Sequence, residues 1–526
     1  PTGAPELGQS GFDSVLAAAR EKITSDLERA LAALDQHYAE QSPAVVAARL
    51  RSGEALRILG ITSRYTTFLQ HSMRDWLAGF EELGHVTELV IEDADHEVST
   101  NLVYARACAE FRPDVVLIID HYRAEFGGLP QCAPCVMWVQ DFLPNIFRPQ
   151  AGAAQGRWDY VLGHGMQECV ELYGYPAGRF MPAGVGSNPK RFAPRPLGAD
   201  EAERFTCDIS FVSHSGTPAE TILAEQIEKI GSAEGKRLLT DVFERLKAIY
   251  DGGGAITHPR AIEALIRQSL LATKTEIAPA QMPALAEFFT GRINNTLYRH
   301  QTLAWAAEMD VEMHLYGRGW EMNPRFKKFA RGVADNQSQL SAIYQASRIN
   351  LQVVPFGVVH QRLLDGLSAG GFFLLREHGG DRLREFLPEI VRWVREGGAR
   401  SNVEIRNRAT PEIRALIERV NALMGTDLLD SEQSYAMWLE MNEAGDYLTS
   451  ASAVWPEYDQ VAFGSRDELH GQIQHFLSDP GQRRRIAESM RRPVIEHFTY
   501  AGITRRLLDF VAADLERGAA VRELAA

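Results

Sequence analysis

Cysteine is scarce in this chain, with five residues among 526: Cys108, Cys132, Cys135, Cys169 and Cys207. An odd, sparse set argues against a disulfide framework and fits a reducing compartment, the cytoplasm. Cys132-Ala-Pro-Cys135 has redox or zinc spacing, but no second such pair or His pair completes four ligands, so it reads as structural. Long apolar runs are missing, since none reaches the roughly 18 residues of a membrane span. The opening Pro1-Thr-Gly-Ala-Pro-Glu6 has neither a basic nor an apolar region, so no signal peptide is expected there. Basic charge is in deficit: 55 Lys and Arg stand against 69 Asp and Glu, a net charge of −14. That balance argues against non-specific binding to nucleic acid or anionic lipid. Internal repeats and low-complexity tracts are also lacking.

What is present is ordinary globular composition, 45% apolar and 24% charged, in a chain too long for one core. Residues 11–50 read as helical: Phe12, Val15, Leu16, Ile23, Leu27, Leu31 and Leu34 recur at helical spacing. Arg57–Thr62 then reads as a buried strand, residues 73–84 as a helix with a Gly stop, and His85–Ile91 as the next strand. This unit implies a parallel sheet. Asp114–Asp120 and Cys135–Asp141 add strands that each end in a carboxylate, and Asp159–Gly163 and Arg179–Gly184 complete the sheet. A Pro-rich linker, Asn188–Pro196, follows. A second α/β domain opens with the strand Cys207–Val212 and continues with strands at Val311–Tyr316 and Ile349–Val354.

The expected architecture is α/β, with two tandem Rossmann-like, doubly wound domains. A helical extension covers 1–50, the first sheet domain 51–200, and the second 201–216 with 291–505. Helical insertions cover 217–290 and 391–457, and a final helix 506–526. The amino-terminal helix is a candidate dimer element.

The most informative stretch is Val359-His-Gln-Arg-Leu-Leu-Asp-Gly-Leu-Ser-Ala-Gly-Gly-Phe-Phe-Leu-Leu375. It reads as a helix carrying Asp365, a turn at Gly370-Gly371, and a buried strand. The stretch resembles the donor-binding segment of GT-B glycosyltransferases. Further blocks in matching order are Met181-Pro-Ala-Gly-Val-Gly-Ser-Asn-Pro-Lys-Arg-Phe192, Tyr316-Gly-Arg-Gly-Trp320, Ser341–Leu351, Phe476-Leu-Ser-Asp-Pro and His497-Phe-Thr-Tyr500. Together they resemble the group-1 glycosyltransferases, in particular the spore-maturation (CgeB-like) branch. The match is weak over 51–216 and better over 296–390 and 458–512.

The resemblance implies two domains facing a cleft, no obligatory metal or cofactor, and a nucleoside-diphosphate sugar, of UDP or GDP type, as donor. It implies Asp365 on the ribose, and Arg299, Arg318 and the Gly370–Gly371 turn at the diphosphate, with His360 a phosphate or sugar contact. Plainer readings stand beside these: a surface Arg299 on an amphipathic helix, and a helix C-cap at Gly370–Gly371. Gly357 stands where related enzymes carry the first acid of a Glu-x7-Glu pair, so sugar recognition must come from other groups. Candidates for the general base lie at strand ends of the first domain: Asp141 first, then His121, with Asp120 beside it. Thr66, Thr67 and His71, in the loop after the first strand, are candidate acceptor or phosphate contacts. Asp93-Ala-Asp95 is read as an exposed acidic loop rather than a metal site, and Gly252-Gly-Gly254 as a hinge. The expected activity is sugar transfer to an acceptor, a glycan or a protein such as a surface or flagellar subunit. Rival readings are a nucleotide-sugar epimerase or hydrolase, and a non-catalytic scaffold that binds a partner protein.

Overall fold

The structure is a computed structural model that describes residues 9–525 except 67, 95, 279–280, 337, 426, 431–433 and 445–449. The chain divides into two compact units, Pro1–Gly186 with Thr499–Ala526, and Ser187–Phe498.

The first unit is built on β1 (Arg57–Ile61), β2 (Val86–Val90), β3 (Val115–Ile119), β4 (Cys135–Val139), β5 (Asp159–Gly163) and β6 (Phe180–Pro182). Their order is β2-β1-β3-β4-β5-β6, and neighbouring pairs run parallel. Sequence explains the pairing. β3 reads Val-Val-Leu-Ile-Ile with every residue buried, the pattern of a parallel strand covered on both faces. Leu117 and Ile119 share one cluster with Trp76, Trp138 and Leu507, while Val116 and Ile118 share another with Phe111 and Met137. The first face is covered by helices Pro43–Arg51, Leu69–Glu82 and Tyr500–Ala525, the second by Gln9–Tyr38 and Asn101–Phe111. The final helix therefore belongs with the first sheet, where Tyr160 donates to Asp514 at 3.0 Å.

The amino-terminal helix is buried only through its later half, at Ala30, Leu34 and Tyr38; Phe12, Val15, Leu16 and Ile23 stay exposed. Its helical periodicity is real, but the sheet surface it packs on is shorter than the helix. All five cysteines are free, and Cys135 lies inside β4. Gly252 is the C-cap of the helix Ala233–Asp251.

The second unit carries β7 (Cys207–Val212), β8 (Met313–Tyr316), β9 (Ser347–Gln352), β10 (Phe373–Arg376) and the short β11 (Ala462–Phe463). The order is β11-β10-β9-β7-β8, again parallel throughout. Helices Ala219–Lys229, Ala233–Asp251, Pro259–Thr273 and Met282–Glu287 intervene between β7 and β8. A second helical insertion follows β10 and has its own core, including Leu387, Ile390, Val420 and Leu439. Among the described residues no helix is long and apolar enough to cross a membrane.

Both sheets share one feature that positions a site. The first strand of each lies between its second and third, so strand order reverses between β1 and β3 and between β7 and β9. Loops leaving such a pair diverge to opposite faces and open a crevice at the carboxyl edge, where ligands bind in doubly wound sheets.

Candidate functional site

In the second unit the crevice is formed by the loop after β7, Ser213-His214-Ser215-Gly216, and the loop after β9, which leads into the helix Gln361–Ser368. The first loop is pinned from several directions. Its Ser213 amide donates to the Tyr316 carbonyl at 2.8 Å, the Trp320 indole donates to the Ser213 carbonyl at 2.8 Å, and the Asn323 amide donates to the Gly216 carbonyl at 2.7 Å. Close approach of the loop after β8 requires glycine. Gly317 has φ +136°, and a Cβ there would lie 2.0 Å from the Ser213 carbonyl oxygen. Ordered in this way, the two serine hydroxyls meet at 2.9 Å.

Arg299 reaches this loop from the helix Asn295–Ala306. It donates to Ser213 Oγ at 3.0 Å, to Ser215 Oγ, and to the Val353 carbonyl at 3.3 Å. Arg362 enters from the other side of the crevice, donating to Gln352 Oε1 at 3.1 Å with its guanidinium 5.1 Å from the Phe211 ring centroid. Gln352 is wholly buried and its amide is fixed on the Val358 carbonyl at 3.0 Å, so it holds Arg362 in place. Burial and the charge of Arg362 push the Arg299 guanidinium down to about 9, and burial lowers Arg362 as well. Among the described residues no carboxylate pairs with Arg299 or Arg362. Two half-buried cations, each disfavoured by burial and one also by the other's charge, are costly alone and are relieved by an anion.

Histidines complete the rim. His360 caps the helix Gln361–Ser368, its Nδ1 accepting from the Arg362 amide at 3.2 Å. Burial, Arg362 and Arg299 hold it well below its usual range, so it stands as a neutral imidazole with its proton on Nε2. His214 accepts the Arg318 amide on Nδ1 at 3.1 Å. Arg318 itself is exposed at this edge.

The crevice thus brings together Arg299, Arg318 and His360. Asp365 lies one turn further along its helix, buried, with the Gln361 amide donating to its Oδ1 at 2.9 Å. Gly370 and Gly371 do not join the arginines. They precede β10, at the opposite edge of the sheet, where Gly371 lets the chain pass the Tyr344 carbonyl; a Cβ there would lie 2.8 Å away. Sequence reasoning missed Ser213, Ser215, Gln352 and Arg362. The sequence signal was position, since the two serines follow a strand, Gln352 ends one, and Arg362 lies in the first turn of the next helix.

In the first unit the corresponding crevice lies after β1 and β3. Asp120 follows β3 in the left-handed region, φ 55°, uncommon for a residue with a side chain. It is fully buried. Its Oδ1 accepts the Gln140 amide at 2.7 Å and the Asp141 amide at 3.1 Å, while Oδ2 has no partner. Burial raises the carboxyl to about 6, against the lowering effect of those two amides. The side-chain nitrogen of Gln140 is also buried and without a partner. A strained, buried carboxyl with an open oxygen at a strand-order reversal has the marks of a functional group.

The sequence-predicted bases flank it. Asp141 is exposed and gives Asp120 its backbone amide. His121 is exposed and hydrogen-bonded through Nδ1 to Glu125 at 2.8 Å. Thr66 caps the following helix, with its hydroxyl accepting the Gln70 amide at 3.1 Å, and His71 lies in that helix's first turn. Thr67 and Asp95 lie outside the described residues. Asp93 is exposed, and among the described residues no group of three or more His, Cys, Asp or Glu is arranged to hold a metal ion.

No family model and no curated protein matches the sequence. Solved structures with which it shares a likeness include sucrose-phosphate synthase from Thermosynechococcus elongatus, at 12% identity and TM-score 0.39, over 89% of this chain and 99% of that one. The catalytic domain of starch synthase IV from Arabidopsis thaliana, bound to ADP and acarbose, aligns at 8% identity and TM-score 0.41, over 88% and 100%. The glycosyltransferase SnogD from Streptomyces nogalater aligns at 12% identity and TM-score 0.33, over 87% and 99%.

Proposed function

We propose that the chain is a glycosyltransferase that takes its sugar from a nucleoside diphosphate sugar. The observation that carries this reading is the Arg299–Arg362 pair at the β7–β9 crevice, two cations with serine hydroxyls between strand ends and, among the described residues, no carboxylate of their own. When a glycosyl group departs, negative charge builds on the leaving diphosphate. Fixed donors aimed at that position before reaction stabilise it without reorganising. Arg299, Arg362, the neutral Nε2–H of His360 and the amino end of its helix supply such donors. Asp365 remains the proposed ribose contact, reached once Gln361 releases one of its acceptor sites.

The acceptor hydroxyl needs a base. Asp120 is our assignment, in place of Asp141. A base works best with a pKa near the working pH, and a carboxylate raised to about 6 is both ionised at neutral pH and basic enough to take a proton. Its Oδ2, buried and without a partner, is the oxygen left to take the proton.

The test is thermal stabilisation by UDP, GDP, ADP, CMP and dTDP, in wild type and in Arg299→Gln. One diphosphate at about 100 times its Kd should add roughly 2.7 kcal/mol to the wild type and nothing to the variant. Stabilisation by none of them would refute the donor site.

A further inference from the structure

A cavity of about 250 Å³ adjoins the arginine crevice inside the second unit. His214 and Ser215 form its wall on the crevice side, and Ser215 is also held by Arg299. The far wall comes from Glu225 of the helical insertion, and from Arg292, Asn295 and Thr296 at the entry to the helix that carries Arg299. Residues Phe288–Asn294 form a π-helical segment, and its wide turns carry Arg292 on this wall just before Asn295. Such segments are rare and concentrate at functional sites.

Asn295 supplies the sharper observation. Its side-chain oxygen is buried and has no hydrogen-bond partner. A buried carbonyl oxygen without a donor is costly, and rotation of the Asn295 side chain, a residue that lines the cavity, would bring it to a ligand donor. The cavity offers an amide, three hydroxyls, a carboxylate and a guanidinium, and His214 is its one ring. This is a lining for a group that both donates and accepts many hydrogen bonds. Glu225 disfavours an anion, and the shortage of aromatic faces disfavours a nucleobase. A monosaccharide ring meets both conditions and suits the volume.

We infer that this cavity is the glycosyl pocket: it receives the sugar of a nucleoside diphosphate sugar whose phosphates lie on Arg299 and Arg362. The inference rests on the proposed function and adds which part of the chain selects the sugar, namely Glu225 of the helical insertion and the first turn of the Arg299 helix. Ser215, which Arg299 holds, and Asn295 line the same cavity.

Calorimetric titration with UDP and UDP-glucose, and with GDP and GDP-mannose, separates the two levels. In the wild type one nucleotide sugar is expected to bind about tenfold more tightly than its own nucleotide, the worth of one or two neutral hydrogen bonds. Asn295→Leu should abolish that increment and leave the affinity for the nucleotide unchanged. Arg299→Gln should weaken both ligands. Glu225→Gln, at an exposed position that cannot disturb folding, should reduce the increment and repeats the test should Asn295→Leu fail to fold. Nucleotide binding with no increment, or with an increment that survives both cavity variants, overturns the glycosyl pocket alone. Absence of any nucleotide binding overturns the proposed function and this inference with it.

Discussion

Asp120→Asn is expected to make the protein more stable and less active, and the size and pH dependence of the gain follow from the structure. The carboxyl is raised to about 6, roughly two units above an ordinary aspartate. Ionising it in place therefore costs the folded state about 3 kcal/mol. The sign follows from proton counts. Between about pH 4 and pH 6 the folded protein keeps a proton that the unfolded chain has released, so stability falls as pH rises through that window. Above it the cost is complete, and below it there is none.

Asparagine keeps the shape and the Oδ1 acceptor for the two amides, and it tolerates the left-handed backbone better than most residues. Its amide nitrogen takes the place of the unpartnered Oδ2 and adds a missing bond of its own, offsetting roughly 1 kcal/mol. The net expectation is a gain of about 2 kcal/mol at pH 8 that disappears or reverses at pH 4. Urea unfolding of both proteins at the two pH values measures it. A variant no more stable than wild type at pH 8, or equally stabilised at pH 4, refutes the reasoning. A gain in stability coupled to lost transfer is the signature of strain held for function.

Other perturbations are equally specific. Gly317→Ala places a methyl group 2.0 Å from the Ser213 carbonyl and should destabilise the second unit by 2 kcal/mol or more, on the order of a strained, overpacked site, read as a fall in its melting temperature. Arg299→Gln removes a cation that burial and Arg362 disfavour, so the unliganded protein should gain on the order of 1 kcal/mol while losing its thermal response to inorganic pyrophosphate. Arg376 is buried against Tyr298, 3.7 Å from the ring centroid, and donates to Thr302 at 2.8 Å, to the Tyr298 carbonyl and to Gln301. Arg376→Lys should cost about 2 kcal/mol in denaturant unfolding, because one ammonium cannot reach all three acceptors. In the wild type, kcat/KM should rise with pH through about 6 as Asp120 ionises, and that limb should vanish in Asp120→Asn.

Much of the architecture was legible in the sequence because it is written locally. Buried parallel strands are short apolar runs, and β5 and β7 begin and end where the residue pattern places them. Arg299 and His360 were singled out through the family resemblance, not through local pattern. The site as a site was not legible. Arg299 meets Ser213 across 86 residues, most of them the helical insertion, and no periodicity encodes that encounter. Asp120 and Asp141 look alike in sequence, each a carboxylate ending an apolar run. Only the tertiary fold separates them, by burying the first in a left-handed backbone and leaving the second in solvent. The final helix likewise reads as one more amphipathic segment, and its place against the first sheet depends on which apolar face remained uncovered. Hydrophobic pattern determines what each segment becomes, because burial acts on neighbours along the chain. Desolvation and opposed charge set what each carboxylate and guanidinium can do, and those depend on residues far apart in sequence.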